Sequence, residues 1–498
     1  MTRILANTGL ATTALAVVLS AGFSGGAFGQ SQRTYAVTDA TGTYLVTETQ
    51  PGDGTGWGGS PRDLIWEYNT GFSIPQTVAL SAAGSSAWVG EDLNSEALDR
   101  FDVPGTGFPD DSYSLLGADF TAVAASMYAD RAAILYKMGG QLHLNVHRSD
   151  LNTTEWTYTF PPEFTSADYA GVKVSRDGSK VAALVLNPTS PGNSVLYTFD
   201  GPTGTPGPTW TYAGYAGPID LNDTGSLCLV TQGSSGRLID TATATEIFTA
   251  PGSGAGSRHK ISGNGNVLVI GGFSLHVYVH NGSTYTLQIN FTAPTSWFGW
   301  GAAVSRDGST VGVMSHDYAS GYLNTATRIW DVPTGALLNT YPTTGSGSFQ
   351  DSISGAVLSD DGSTLVVSSW GAQDNNHPEV MIFDRDLELI GSIDTPGSVF
   401  GLDMTGDGLY VLSGSKAVHA NTFGNGGRVH LFGLGGGCLP GDLDCDCQIG
   451  ISDLSMFLSA YGSCTGDGTY NADADLDASG CIDITDLALI LAVFGTGC

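Results

Sequence analysis

Two twelve-residue stretches near the carboxyl end place oxygen-bearing groups where a calcium ion could use them. They are Asp442-Leu-Asp-Cys-Asp-Cys-Gln-Ile-Gly-Ile-Ser-Asp453 and Asp475-Leu-Asp-Ala-Ser-Gly-Cys-Ile-Asp-Ile-Thr-Asp486, offset by 33 residues. Calcium takes roughly six to eight oxygens, and a loop of this length supplies them from positions 1, 3, 5, 7 (a carbonyl), 9 and 12. In the first copy the expected ligands are Asp442, Asp444, Asp446, the carbonyl of Gln448 and Asp453, with a water at Gly450. In the second they are Asp475, Asp477, Ser479, the carbonyl of Cys481, Asp483 and Asp486. Gly480 suits the sharp turn at position 6, whereas Cys447 does not. Residues 437–498 hold ten Asp and no Lys or Arg. Such a segment repels itself without counter-ions, so two calcium ions are expected, with binding coupled to folding.

The loops need elements to hold them. Each is followed by an apolar helical run ending in aromatic-Gly, over 454–462 and 487–495. A duplicated loop and exiting helix, with Asp instead of Glu at position 12 and no helix before the first loop, resembles a type I dockerin. The resemblance covers about 60 residues. It implies a module that docks its host on a cohesin-like domain, typically in assemblies that handle polysaccharides. It also implies that loop positions 10 and 11, here Ile451, Ser452, Ile484 and Thr485, choose the partner, and that their near-identity gives two equivalent faces. The sequence departs from that family at Leu458, Ser459, Leu491 and Ala492, where many dockerins carry basic residues, and in its extra cysteines.

The whole chain has 498 residues and a net charge of −30, with 18 basic residues and no basic cluster, which excludes a nucleic-acid binder. Arg3, the apolar stretch 9–23 and Ala27-Phe28-Gly29 read as a cleaved signal peptide over 1–29. The protein is therefore expected to be secreted or on the cell surface, with no membrane span in the mature chain. Six of seven cysteines lie in the last 61 residues: Cys438, Cys445, Cys447, Cys464, Cys481 and Cys498. Export permits disulfides among them, and the spacing leaves the pairing open. Cys228 lies in an apolar strand pattern and reads as core.

Residues 30–432 carry an internal repeat. Ser-Arg-Asp-Gly-Ser at 175–179 and 305–309, and Ser-Asp-Asp-Gly-Ser at 359–363, each precede an apolar strand, and weaker copies begin at Ser81, Ser126, Asn222, Ser262 and Thr405. Asp-Gly between apolar runs is a tight hairpin turn. A second strand pair follows in each period, best seen at Arg328-Ile-Trp-Asp-Val-Pro-Thr-Gly-Ala-Leu338. Four short strands in about 45 residues make a propeller blade. The pattern resembles WD-repeat and YVTN-like propellers, through these turns and Ile329-Trp330-Asp331. The expected fold is an all-β propeller of eight blades, with seven or a sandwich array as alternatives. A Gly-rich linker (433–437) and a small α-helical calcium-binding dockerin-like domain (438–498) follow. Strands in 35–46 and 64–68 are expected to join 428–432 in closing the ring.

Catalytic chemistry finds little support in this part. Glycosidases need two carboxylates about 5–10 Å apart, and no motif sets such a pair apart; no catalytic residue is assigned. His143 and His147 are too far apart on a strand, about 13 Å, to share an ion. Trp57 and Trp297-Phe-Gly-Trp300, read as loops, could stack on a glycan or pack between blades. The reading is a non-catalytic recognition head with a calcium-dependent docking tail, the alternative being a dockerin-tagged glycoside hydrolase.

Overall fold

A computed structural model describes residues 32–495 except 40–41, 50–59, 62, 72, 93–96, 116–117, 127–130, 149–152, 190–191, 253–258, 346–352, 372–376, 420–425, 435–440, 442, 444–448, 465–466, 468–469, 472–473 and 477–478. The residues read as a signal peptide, 1–29, and Trp57 lie outside the described residues. The chain divides into two compact units, residues 1–432 and 433–498.

The first unit is a ring of eight sheets, each built on four antiparallel strands, with a short fifth strand, Ser60–Pro61, added in parallel beside Leu389–Ile393 in one of them. Their first strands are Ile74–Leu80, Ala118–Ala125, Ser166–Val174, Ile219–Leu221, Lys260–Ile261, Trp297–Val304, Ile353–Leu358 and Val399–Met404. Each touches the first strand of the next blade, and the eighth touches the first. Cyclic contact of this kind excludes a sandwich array, and the count excludes seven blades. Blades are numbered one to eight in this order.

Each Asp-Gly or Asn-Gly repeat falls between the first and second strands of its blade. Ser175 Oγ accepts from Lys180 N at 2.9 Å and donates to Asp177 Oδ1 at 2.6 Å, which also accepts from Ser179 N at 2.9 Å. Ser305/Asp307 and Ser359/Asp361 repeat the arrangement. Gly178 supplies the left-handed backbone at φ 70°. These aspartates are turn formers, as their setting in the sequence implied.

The ring closes with a strand from each end of the unit. Asp63–Asn69 is the outer strand of blade eight, beside Gly427–Gly433. Across this seam Glu67 pairs with Arg428 and lies 3.5 Å from His430 Nε2. Burial opposes its ionisation, but His430 and Arg428 outweigh burial and hold Glu67 at about 2. The strands expected within 35–46 do not join this blade. Gln32–Asp39 and Gly42–Thr49 pair with each other in a separate two-stranded sheet.

Apolar side chains alternate along the strands and meet between blades. Trp330, 2 % exposed, joins Val269, Val277 and Ile289 of blade five with Val311 and Val313 of its own blade. Cys228 is wholly buried, and burial pushes its thiol up.

The second unit holds helices α1 (Ile451–Ala460) and α2 (Ile484–Val493) around Ile449, Phe457, Ile482 and Ile490. The 33-residue sequence offset reappears as an internal two-fold arrangement. Gly495 N donates to Ile449 O at 2.8 Å, and Gly462 N donates to Ile482 O at 2.9 Å.

Candidate functional site

In the second unit the two position-12 carboxylates, Asp453 and Asp486, are wholly buried in the first turns of α1 and α2. Asp453 accepts from Leu443 N at 2.6 Å and Gly450 N at 2.7 Å. Asp486 accepts from Asp483 N at 2.8 Å, the bond equivalent to the second of these. Each carboxylate therefore folds its loop back onto its helix.

The second loop is the better described. Asp475 accepts from Ser479 N at 3.0 Å, Gly480 N at 2.8 Å and Tyr470 OH at 2.7 Å. Ser479 Oγ lies 3.1 Å from the Cys481 carbonyl, so groups of positions 1, 5 and 7 sit side by side. Gly480 takes φ 87°, the backbone its position was expected to need. Asp483 faces solvent and caps α2 through Thr485 N at 2.7 Å. Asp442, Asp444, Asp446, Gln448 and Asp477 lie outside the described residues. Among the described ones no group of three His, Cys, Asp or Glu forms a metal cage. What is described of the second loop fits a calcium ion in donor type and turn geometry. Cys464 and Cys481 form a disulfide that ties the segment after α1 to the second loop.

The expected partner-choosing residues are on the surface. Ile451 is 78 % and Ile484 65 % exposed, with Ser452 and Thr485 exposed beside them. The duplication extends along the helices: Met456 matches Leu489, Leu458 matches Leu491, and Tyr461 matches Phe494, all exposed. Large apolar side chains are thus left exposed at matching positions of both copies.

In the propeller, the end carrying the Asp-Gly turns is cross-tied. Backbone bonds run from turn to turn: Asp223 N to Gly263 O, Gly263 N to Arg306 O, Arg306 N to Asp360 O, Asp360 N to Gly406 O, and Gly406 N to Ala82 O, at 2.7–3.0 Å. Over this collar Arg176 of blade three reaches Asp360 of blade seven, opposite it in the ring, through two bonds of 2.9 and 2.5 Å. Arg306 similarly reaches Asp223 at 2.7 Å. Gly263 and Gly406 lie beneath the two pairs. A Cβ at Gly263 would sit 2.5 Å from Arg306, and one at Gly406 would sit 2.6 Å from Asp360. Behind the collar lies a cavity of about 140 Å³ lined from all eight first strands, with Lys173, Lys260 and Asp403 at its wall.

A buried acid pair escaped sequence reading. Val380 pairs with Ile393 in blade seven, so the next residues, Glu379 and Asp394, stand opposite each other. Glu379 is wholly buried. Its Oε2 accepts from Thr395 N at 2.6 Å, while its Oε1 and Asp394 Oδ1 find no hydrogen-bond donor among the described residues. His419 Nδ1 lies 3.9 Å from Oε1 and contacts the Trp370 carbonyl at 3.1 Å. Burial and then the facing Asp394 push Glu379 far up, and burial lifts Asp394 to about 6. The pair can hold a proton, and Glu379 is wholly buried among the described residues.

Trp297–Trp300 are not a loop. They begin the first strand of blade six, where Trp297 lies beneath the Arg328 guanidinium, 5.4 Å from its ring centre, and Phe298 is buried. His143 and His147 lie on the strand Gln141–His147, opposite Thr159 and Thr154. No described helix is long and apolar enough to cross a membrane.

No family model matches the chain, and no curated protein matches it. Among solved structures, the C-terminal WD40 domain of Sif2 superposes with a TM-score of 0.55 at 14 % identity, over 75 % of this chain and 99 % of that one. By topology and by this likeness, the first unit is a WD40-like propeller of eight blades.

Proposed function

We propose that the protein is an exported, non-catalytic scaffold. Its propeller is a recognition head, and a Gly-rich tether joins it to a calcium-dependent, dockerin-like docking tail. The tail engages a cohesin-like domain or another secreted or surface protein, within an assembly that handles polysaccharide. The carrying observation is the paired exposure of Ile451 and Ile484 above buried Asp453 and Asp486. One duplicated unit thus joins acidic groups suited to a cation with an apolar surface suited to a partner. A WD40-like ring is consistent with a head that binds rather than reacts, since such a fold presents loops on two faces of a rigid disc.

The test immobilises the full-length chain and passes over it the producer's secreted and surface fractions, in calcium and in chelator. The expected result is a partner retained in calcium and released by chelator. Ile451→Asp and Ile484→Asp singly should each weaken capture about twofold, because the other face remains, while the double variant should lose it by a factor of about 100. Equal capture in calcium and chelator would rule out the docking role.

A further inference from the structure

The end of the ring opposite the Asp-Gly turns carries an aromatic corner between blades five and six. Phe273 sits between the second and third strands of blade five, just after Gly272. Tyr318 sits in the equivalent connection of blade six. Their rings stand edge-on to each other, at 78° with centroids 6.3 Å apart, and are 43 % and 46 % exposed. Phe273 also meets buried Phe298 at 75° and 5.3 Å, so the corner rests on the core.

The backbone beneath is held in an unfavourable form. Ser296 and Tyr322 take φ of 77° and 65°, two of the four described non-glycine residues in the left-handed region. Such strain is kept where neighbouring contacts impose it and is concentrated at binding sites. Here Tyr318 N donates to Ser296 O at 3.0 Å, and Tyr322 N donates to Asp317 O at 3.3 Å. Asp317 fastens the two segments: its Oδ1 accepts from Ser296 Oγ at 2.5 Å and Ala319 N at 3.0 Å. Its Oδ2 takes part in neither bond.

We propose that Phe273, Tyr318 and Asp317 form a binding site for a neutral polysaccharide. Two rings at a right angle offer an apolar wall and floor to the C–H face of a pyranose, and a half-buried carboxylate beside them accepts hydrogen bonds from sugar hydroxyls. Local charge selects against acidic glycans. Arg328 is committed inward, its guanidinium over Phe291 and Trp297 and bonded to Ser315 Oγ at 2.7 Å. Burial holds His316, packed against Phe298 and Tyr322, at about 4, so it carries no charge at neutral pH. Asp317 repels anions, as does the chain's net charge of −30. The site gives the recognition head a ligand class, and to that extent rests on the reading above.

Affinity electrophoresis of the full-length chain in gels containing xyloglucan, galactomannan, hydroxyethylcellulose or laminarin tests the site, with polygalacturonate and alginate as acidic controls. At least one neutral polymer should retard the protein, and neither acidic one should. Phe273→Ala and Tyr318→Ala, both at exposed positions, should each weaken retardation about tenfold, and Asp317→Asn should weaken it less. Retardation should be the same in calcium and chelator, which separates failure here from failure of the docking tail. No retardation by any neutral polymer, unchanged retardation of both ring variants, or a proline-rich peptide binding through these rings in preference to sugar would overturn the assignment.

Discussion

Glu379→Gln should make the propeller more stable at pH 8 and leave it nearly unchanged at pH 4.5. Two carboxyls directly opposite on paired strands cannot both ionise cheaply when buried. In the folded chain burial and the facing Asp394 hold Glu379 protonated far above its ordinary value, and Asp394 stays protonated to about 6. Once unfolded, both ionise near their ordinary values. The unfolded chain therefore loses protons first as pH rises, and stability falls through the window from about pH 4 to beyond 6. Glutamine keeps an acceptor for Thr395 N and offers Asp394 a donor, so this loss is relieved. Denaturant unfolding should show a gain of about 2 kcal/mol at pH 8 that vanishes toward pH 4.5. Gly371→Ala acts in the opposite sense at both pH values, because a Cβ there would overlap Glu379 Oε1 in a left-handed backbone at φ 68°. Equal stability of Glu379→Gln and the native chain at both pH values would remove the shared proton from the account.

Chelation should unfold the tail and spare the ring. The second unit buries Asp453 and Asp486 in a segment of ten aspartates without a lysine or arginine. Its apolar core is small, centred on Phe457, Ile482 and Ile490. The Cys464–Cys481 disulfide holds the segment after α1 to the second loop but supplies no positive charge. Excess chelator should therefore lower amide-exchange protection in α1 and α2 by about 100-fold or more, with blade protection unaltered. Helices equally protected in chelator would mean that packing and the disulfide suffice without metal.

The sequence spoke most clearly where a local rule has a local cause. An Asp-Gly or Asn-Gly turn needs a left-handed residue and a side chain that bonds its own backbone, so the five turns ending at Gly178, Gly265, Gly308, Gly362 and Gly408 were visible as residue types, while those after Ser81, Ser126 and Asn222 were placed by the repeat period. Ile451 and Ile484 were singled out by the dockerin resemblance, and the 33-residue duplication places them at matching positions, where both are exposed. Contacts made by register or by closure of the ring were not legible. Glu379 and Asp394 face each other only because Val380 pairs with Ile393. Arg176 and Asp360, 184 residues apart, meet only because eight blades bring the third opposite the seventh. Trp297–Trp300 were misread because Pro294 and Gly299 look like loop residues. The proline instead turns the chain into the strand, and Gly299 N bonds Gly272 O at 2.8 Å across to the neighbouring blade. The aromatic corner combines residues of two blades, and no single stretch announces it.

The proposed docking function depends on calcium uptake by the acidic tail. Calorimetric titration of the metal-stripped full-length chain measures this directly. Two equivalents should bind, and Asp475→Asn with Asp486→Asn should abolish one while the loop from Asp442 to Asp453 keeps the other. A chain that takes up no calcium, or a double variant that still takes up two, would contradict the assignment of these loops and the docking function built on them.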